Sequence, residues 1–205
     1  MPRKILKWIL LLHLFWGCST YRIIYDFELT GVDVSIRKNE VIKIIKNEKG
    51  AWEYEDGDIK ITWKISSKEI GFKLLNKINN NIKIIWDEAI YIDENKRSRR
   101  LIHSGVYYLD RYRAQVPSVV AKNTFILETL YPADYIEINP VKGEFWRIKP
   151  LFIDEYTGKL EKAKKIADGY IGQFIGILLP IEIGGTRKDY IFMFLIKDAE
   201  IEAEK

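Results

Sequence analysis

The chain has 205 residues, with 33 lysines and arginines against 29 aspartates and glutamates and an apolar content of 47%. That length suits one domain, and the apolar share is large enough to bury a core, which excludes a disordered chain. Arg3, Lys4 and Lys7 lie in an opening segment that has no acids; the remainder is close to charge balance, so a general nucleic-acid-binding role has little support.

Those three bases precede an apolar run from Trp8 to Trp16, which Ser19, Thr20, Tyr21 and Arg22 bring to an end. A membrane-spanning helix needs roughly 20 apolar residues, so the run is too short to stay in the bilayer. A positive start followed by a short apolar stretch and small residues is the pattern of a secretory signal peptide.

At Gly17-Cys18 the chain resembles the lipobox of bacterial lipoproteins, in which a small residue precedes the cysteine that is lipidated and becomes the new N-terminus. Phe15 and Trp16 stand where that pattern usually carries leucine and a small residue. Cys18 is the only cysteine of the chain, so it has no intramolecular partner. The resemblance implies acyl chains on Cys18, each buried methylene contributing about 0.8 kcal/mol to membrane anchoring. Ser19 after the cysteine resembles lipoproteins sorted to the outer membrane, which in a diderm source implies its periplasmic face. The expected division is a signal peptide over 1–17, an anchor cysteine and N-terminal strand extension over 18–57, a β domain over 58–197 and a polar tail over 198–205.

After the leader, Tyr21 to Leu29, Gly31 to Lys38 and Val41 to Lys46 read as short strands. Asn47-Glu48-Lys49-Gly50 reads as a hairpin turn, Ala51 to Glu55 as its return strand, and Asp56-Gly57 as another turn. Ile59, Ile61, Trp63 and Ile65 alternate with Lys60, Thr62 and Lys64, the period of a half-buried strand. Ser66 to Lys68 turns the chain, and Ile70, Phe72 and Leu74 repeat the alternation before Asn79-Asn80-Asn81. The strand Ile82 to Ile92 starts with its apolar set on even positions. Glu88 breaks the phase, which predicts a bulge near Asp87-Glu88.

Asp93 to Arg100 is a loop by composition. Leu101 to Leu109 is an expected strand bent at Gly105, followed by Phe125 to Leu130, Tyr135 to Ile138 and Trp146 to Ile153. Pro132 marks a turn, and Pro150 argues for a sheet edge or a bulge. Gly158 to Asp168 is the one segment with helical spacing. Tyr170 to Ile183 and Asp189 to Lys197 form the last hairpin, and Tyr190 to Ile196 is apolar on both faces, which predicts a central strand. Asp198 to Lys205 reads as a frayed tail.

Many short strands with turn signals between them predict an all-β fold. The expected architecture is an antiparallel β-sandwich, immunoglobulin-like, with an N-terminal strand and hairpin extension; the alternative is a partly open β-barrel.

Past the leader the chain has a single histidine, His103, so a zinc site built from several histidines and cysteines is excluded. A Ser-His-Asp triad would have to use His103; Ser104 beside it would face the other way on a strand, and Ser118 is a more distant candidate. Asp87 and Glu88 adjoin Trp86, and a carboxyl against an indole is one route to a general acid. With no glycine-rich loop before a helix, no phosphate-binding cofactor is implied, and the expected cofactor is none.

One constellation suits binding: Lys96, Arg97, Arg99 and Arg100, then Tyr107, Tyr108, Arg111, Tyr112 and Arg113. Arginine offers a planar fork for phosphate or carboxylate and tyrosine offers amphipathic contact area, whereas Asp93, Glu94 and Asp110 are nearby acids that would neutralise the bases. The expected function is a lipid-anchored, non-enzymatic binding or assembly module of the cell envelope. Its partners would be the membrane, through the anchor, and an envelope protein or anionic polymer; nucleic acid is not expected. A structural envelope lipoprotein and a cell-wall polymer hydrolase using Asp87 and Glu88 are the alternatives.

Overall fold

The structure, a computed structural model, describes residues 19–35, 42–137 and 147–204. The leader, Cys18, the end of the expected Gly31 to Lys38 strand, and Val41, Ile138 and Trp146 of three other expected strands lie outside the described residues.

The first strand, β1 (Ser19–Val34), is long. β2 (Lys43–Lys46), β3 (Trp52–Glu55), β4 (Ile59–Ile65) and β5 (Ile70–Asn76) follow as successive antiparallel hairpins. β6 (Ile82–Ile84) and β7 (Ile90–Ile92) flank a 3-10 turn at Trp86–Glu88. Then come β8 (Ser98–His103), β9 (Ser118–Val120) and β10 (Phe125–Pro132). A separate small ribbon pairs β11 (Ile136–Glu137) with β12 (Arg147–Ile148). β13 (Glu155–Gly158) leads into the helix α1 (Leu160–Tyr170), and β14 (Phe174–Ile183) with β15 (Thr186–Glu204) forms the final hairpin.

The fold is all-β and antiparallel. Its 13-stranded sheet runs β13-β1-β15-β14-β7-β8-β10-β5-β4-β3-β2, with β6 added on β14 and β9 on β6. The sheet curls into a half-barrel, in line with the partly open barrel named as the alternative above. Its two distant regions meet through side chains: the Trp52 indole N–H donates to the Phe27 carbonyl at 2.6 Å, and Lys46 sits 3.4 Å from Asp26.

Period-two patterning explains what lies inside. Ile59, Ile61, Trp63, Ile70, Phe72 and Leu74 of the β4-β5 hairpin face Tyr190, Phe192, Phe194 and Ile196 of β15, all buried. Trp63 lies 4.8 Å from Phe192 and 5.2 Å from Phe72 between ring centroids. Such aromatic pairs contribute about 0.5–1.5 kcal/mol each beyond their buried area. β15 is central as its two-sided apolar pattern predicts, lying between β1 and β14.

Local structure differs from the sequence expectation at several points. The two short opening strands are one strand with register shifts at Asp26/Phe27 and Leu29/Gly31, because β15 offers a partner along its whole length. The expected bulge at Asp87-Glu88 is a 3-10 turn, which consumes three residues and has the same effect: the buried set passes from Ile82, Ile84 and Trp86 to Ala89 and Tyr91. β8 begins inside the expected loop and stops at His103, before Gly105 at φ 93°. Asp93 shortens that loop, since its carboxylate accepts the N–H groups of Asn95 and Arg97. Of the expected Trp146 to Ile153 strand, Arg147 and Ile148 are extended in a ladder and the other described residues, 149–153, are not. The helix lies within two residues of its predicted span, burying Ala163 and Ala167 while its lysines stay exposed. Residues 198–204, expected to fray, continue β15 to its pairing of Glu204 with Thr20; β1 supplies the ladder while the glutamates stay exposed.

Candidate binding site

The arginine and tyrosine constellation occupies β8 and the loop that follows it. Arg99 pairs with Asp93 at 2.8 Å and with Asp134, and lies 4.9 Å over the Tyr135 ring. Arg100 pairs with Asp87 and donates to the Arg113 carbonyl at 2.7 Å. Arg113 pairs with Asp110 at 2.8 Å, and Arg111 lies 3.8 Å from the Tyr108 ring centroid and 4.6 Å from that of Tyr112. Arg97 and Lys96 are exposed at the β7-β8 turn, away from the tyrosines in sequence. Much of the positive charge is therefore held by neighbouring acids. What the loop leaves outside is apolar and aromatic: Tyr107, Leu109, Tyr112 and Val116 are exposed.

The base of that loop is pinned. Gln115 is buried, and its amide donates to the carbonyls of Trp86 at 3.2 Å and Leu101 at 2.9 Å. Its backbone N–H donates to Asp87 at 2.8 Å. That bond, seconded by the Arg100 guanidinium, holds the Asp87 carboxyl below its usual range against the opposing effect of burial. A depressed folded-state value means the contribution is present above the unfolded pKa of about 3.9 and is lost as pH falls through the folded value. Protection of the Gln115 amide, taken relative to its intrinsic exchange rate at each pH, is therefore expected to fall below about pH 4, and Asp87→Asn, which keeps an acceptor oxygen but cannot titrate, is expected to flatten that response.

The expected catalytic candidates are placed as follows. Asp87 faces Arg100, Glu88 pairs with Arg187, and the Trp86 ring stacks on His103 at 4.6 Å instead of on either carboxyl. Ser118 accepts the Trp86 indole N–H at 2.8 Å. Ser104 donates its hydroxyl to Glu128, whose Oε2 lies 3.7 Å from His103 Nδ1. The serine thus donates to a carboxylate and not to an imidazole, and these three side chains do not make the order of contacts that activates a nucleophile. Among the described residues no group of three or more His, Cys, Asp or Glu is placed to hold a metal ion, and no helix is long and apolar enough to cross a membrane.

A feature that strand-by-strand reading does not reveal is a half-open cavity of about 650 Å³ on the curled sheet. Tyr25 and Phe27 of β1, Trp52 of β3, Trp63 of β4, Phe72 of β5 and Phe194 of β15 contribute to its wall, with Ser104 and Glu128 on the β8 and β10 side. Trp63 is 2% exposed, and its indole Nε1 is buried without a hydrogen-bond partner among the described residues. Buried donors are nearly always satisfied, and leaving one unmet costs about 1–3 kcal/mol. Lys49, Lys64 and Lys73 also line the cavity and are exposed. The alternating pattern of β4 and β5 signals an inward aromatic wall, but the facing wall is contributed by β1 and β15, more than a hundred residues away from each other in the chain.

A volume of this size is ordinary for a small-molecule site, as is an apolar wall carrying a few polar groups. Comparison with known proteins finds no matching family model, no matching curated protein and no matching solved structure.

Proposed function

We propose that the chain is a lipid-anchored, non-enzymatic binding module of the cell envelope, exported by its leader and tethered through acylated Cys18. In a diderm source its place is the periplasmic face of the outer membrane. The observation that carries the binding part is the half-open cavity of about 650 Å³ on the curled sheet, with the exposed Lys49, Lys64 and Lys73 among its lining. The cavity wall belongs to the sheet itself, so the site is preformed, and preformed sites keep the ordering cost of binding low. The leader and the lipobox-like Gly17-Cys18 support the address.

The two halves are tested separately. Cys18→Ser is expected to abolish incorporation of radiolabelled palmitate and to move the protein out of the membrane fraction; a wild-type chain carrying no label would overturn the anchor. For binding, native mass spectrometry of the anchored protein in bilayer discs is expected to find a non-protein mass near one per chain that Leu127→Trp, at an exposed position of the cavity lining, diminishes. Absence of any such mass, together with loss of membrane integrity on deletion, would favour a structural envelope protein instead.

A further inference from the structure

We propose that the α1 side of the domain is a second point of membrane contact: Lys159, Lys162, Lys164 and Lys165 meet anionic lipid head groups, so that the tethered body lies over on its helix. The inference rests on the acylated Cys18 of the reading above and adds which surface of the domain faces the bilayer.

Position follows from register. Ser19, the residue after the proposed anchor, pairs with Gly158, and Lys159 and Leu160 open the helix directly after that glycine. An anchor at Cys18 therefore sets the first turn of α1 at the bilayer surface. From there the helix runs along the strands, since Tyr170 at its far end meets Tyr25 edge-on at 5.7 Å between ring centroids. Its 11 residues span about 16 Å, so a body leaning on this side brings every lysine of the helix to the surface.

Charge decides which side leans. Ala163 and Ala167 are buried, and with Ile166 and Tyr170 they pack on the face of β1 and β15 that carries Ile23, Tyr25, Ala199 and Ile201. Lys159, Lys162, Lys164 and Lys165 are exposed, and none of them makes an ion pair with a described residue. Glu161 and Asp168 are the acids of this side, so bases outnumber acids four to two. Leu160, 40% exposed in the first turn, adds an apolar side chain to the same side. Successive strand residues point to opposite faces, so Glu200, Glu202 and Glu204 of β15 line the other face of the same strand end and are exposed. Glu155, opposite Arg22 in the ladder, joins them there. The end of the sheet nearest the anchor is thus basic on its helix side and acidic on its outer side. An anionic surface attracts the first and repels the second, each lysine near such a surface strengthening the contact about fivefold.

The test uses the full-length protein, purified with its anchor and reconstituted into phosphatidylcholine vesicles with or without phosphatidylglycerol. Amine acetylation read by mass spectrometry is expected to slow about fivefold at Lys159, Lys162, Lys164 and Lys165 in the anionic vesicles, with the exposed Lys73 and Lys122 unchanged. Salt at about 1 M is expected to restore the rate, because the screening length falls to about 3 Å. Lys162→Glu with Lys165→Glu, both at exposed positions, is expected to remove the lipid dependence at Lys159 and Lys164 while the chain still floats with the vesicles. Equal acetylation of the four lysines in both kinds of vesicle, on a chain that floats with both, would overturn the contact and leave the anchor standing. A chain that floats with neither would overturn the anchor and the contact together. Protection found in isolated membranes but absent from anionic vesicles would give the face to an acidic protein and overturn the lipid.

Discussion

Asp58→Ala is expected to destabilise the fold by about 3–5 kcal/mol, because it strands a buried cation. Lys188 sits in β15 with its side chain 6% exposed, and its ammonium is paired with Asp58, itself 10% exposed. The pair belongs to a larger polar cluster. Asp56 accepts the backbone N–H groups of Asp58 and Ile59 at 2.8 Å with one oxygen, and the hydroxyls of Tyr54 and Tyr190 at 3.0 and 3.1 Å with the other. The tight Asp56-Gly57-Asp58 turn is thereby bolted to a strand 130 residues further on. Replacing both partners with apolar groups of similar size, Asp58→Leu with Lys188→Met, is expected to recover most of the loss. Urea unfolding of the two single variants and the double variant measures the coupling; a loss under about 1 kcal/mol for Asp58→Ala, the size of an exposed pair, would show that the pair is solvated.

Asn76→Asp is expected to cost about 2–4 kcal/mol at neutral pH and to recover part of it on acidification. Asn76 is fully buried at the end of β5, where its amide nitrogen donates to the carbonyls of Asn80, Val120 and Ala121 at 2.8, 3.1 and 3.1 Å. Its oxygen accepts the Ile78 N–H at 3.1 Å. A carboxylate in that position turns an acceptor toward three carbonyl oxygens and offers no proton. Its folded-state pKa would rise, so the variant is more stable below that value, where the protonated carboxyl again donates one hydrogen, and loses stability as pH rises through it. Thermal unfolding measured across acid and neutral pH checks the sign; a variant whose Tm tracks the wild type at every pH would contradict it.

The physics of short range made the strands legible. Alternation along Ile59 to Ile65 and Ile70 to Leu74 places the inward residues of that hairpin, and the apolar character of Tyr190 to Ile196 on both faces places β15 inside the sheet, between β1 and β14. Turn chemistry was legible too, as in Ser66 to Lys68, where the Ser66 N–H donates to the Glu69 carbonyl at 3.0 Å. The polar glutamates of 198–204 misled because exposure of side chains says nothing about whether the backbone between them finds a ladder.

The candidate site was less legible, since its wall depends on how distant strands curl toward one another. Trp52 reaching the Phe27 carbonyl, and Trp63 facing Phe194, are contacts that no local period encodes. The loop arginines illustrate the opposite difficulty. Their types suited anion binding, but Asp87, Asp93, Asp110 and Asp134 sit within ion-pair distance, and that neutralisation is a matter of geometry.

The start of β1 is gripped on both edges, residues Ser19 to Arg22 pairing with Gly158 to Glu155 on one side and Thr20 onward with the end of β15 on the other. A pull entering from the N-terminal side therefore meets two rows of hydrogen bonds at its first residues, where a free edge would present one. Tension applied at that end is shared between neighbouring strands before any peeling begins, which is what the proposed anchor at Cys18 would call for.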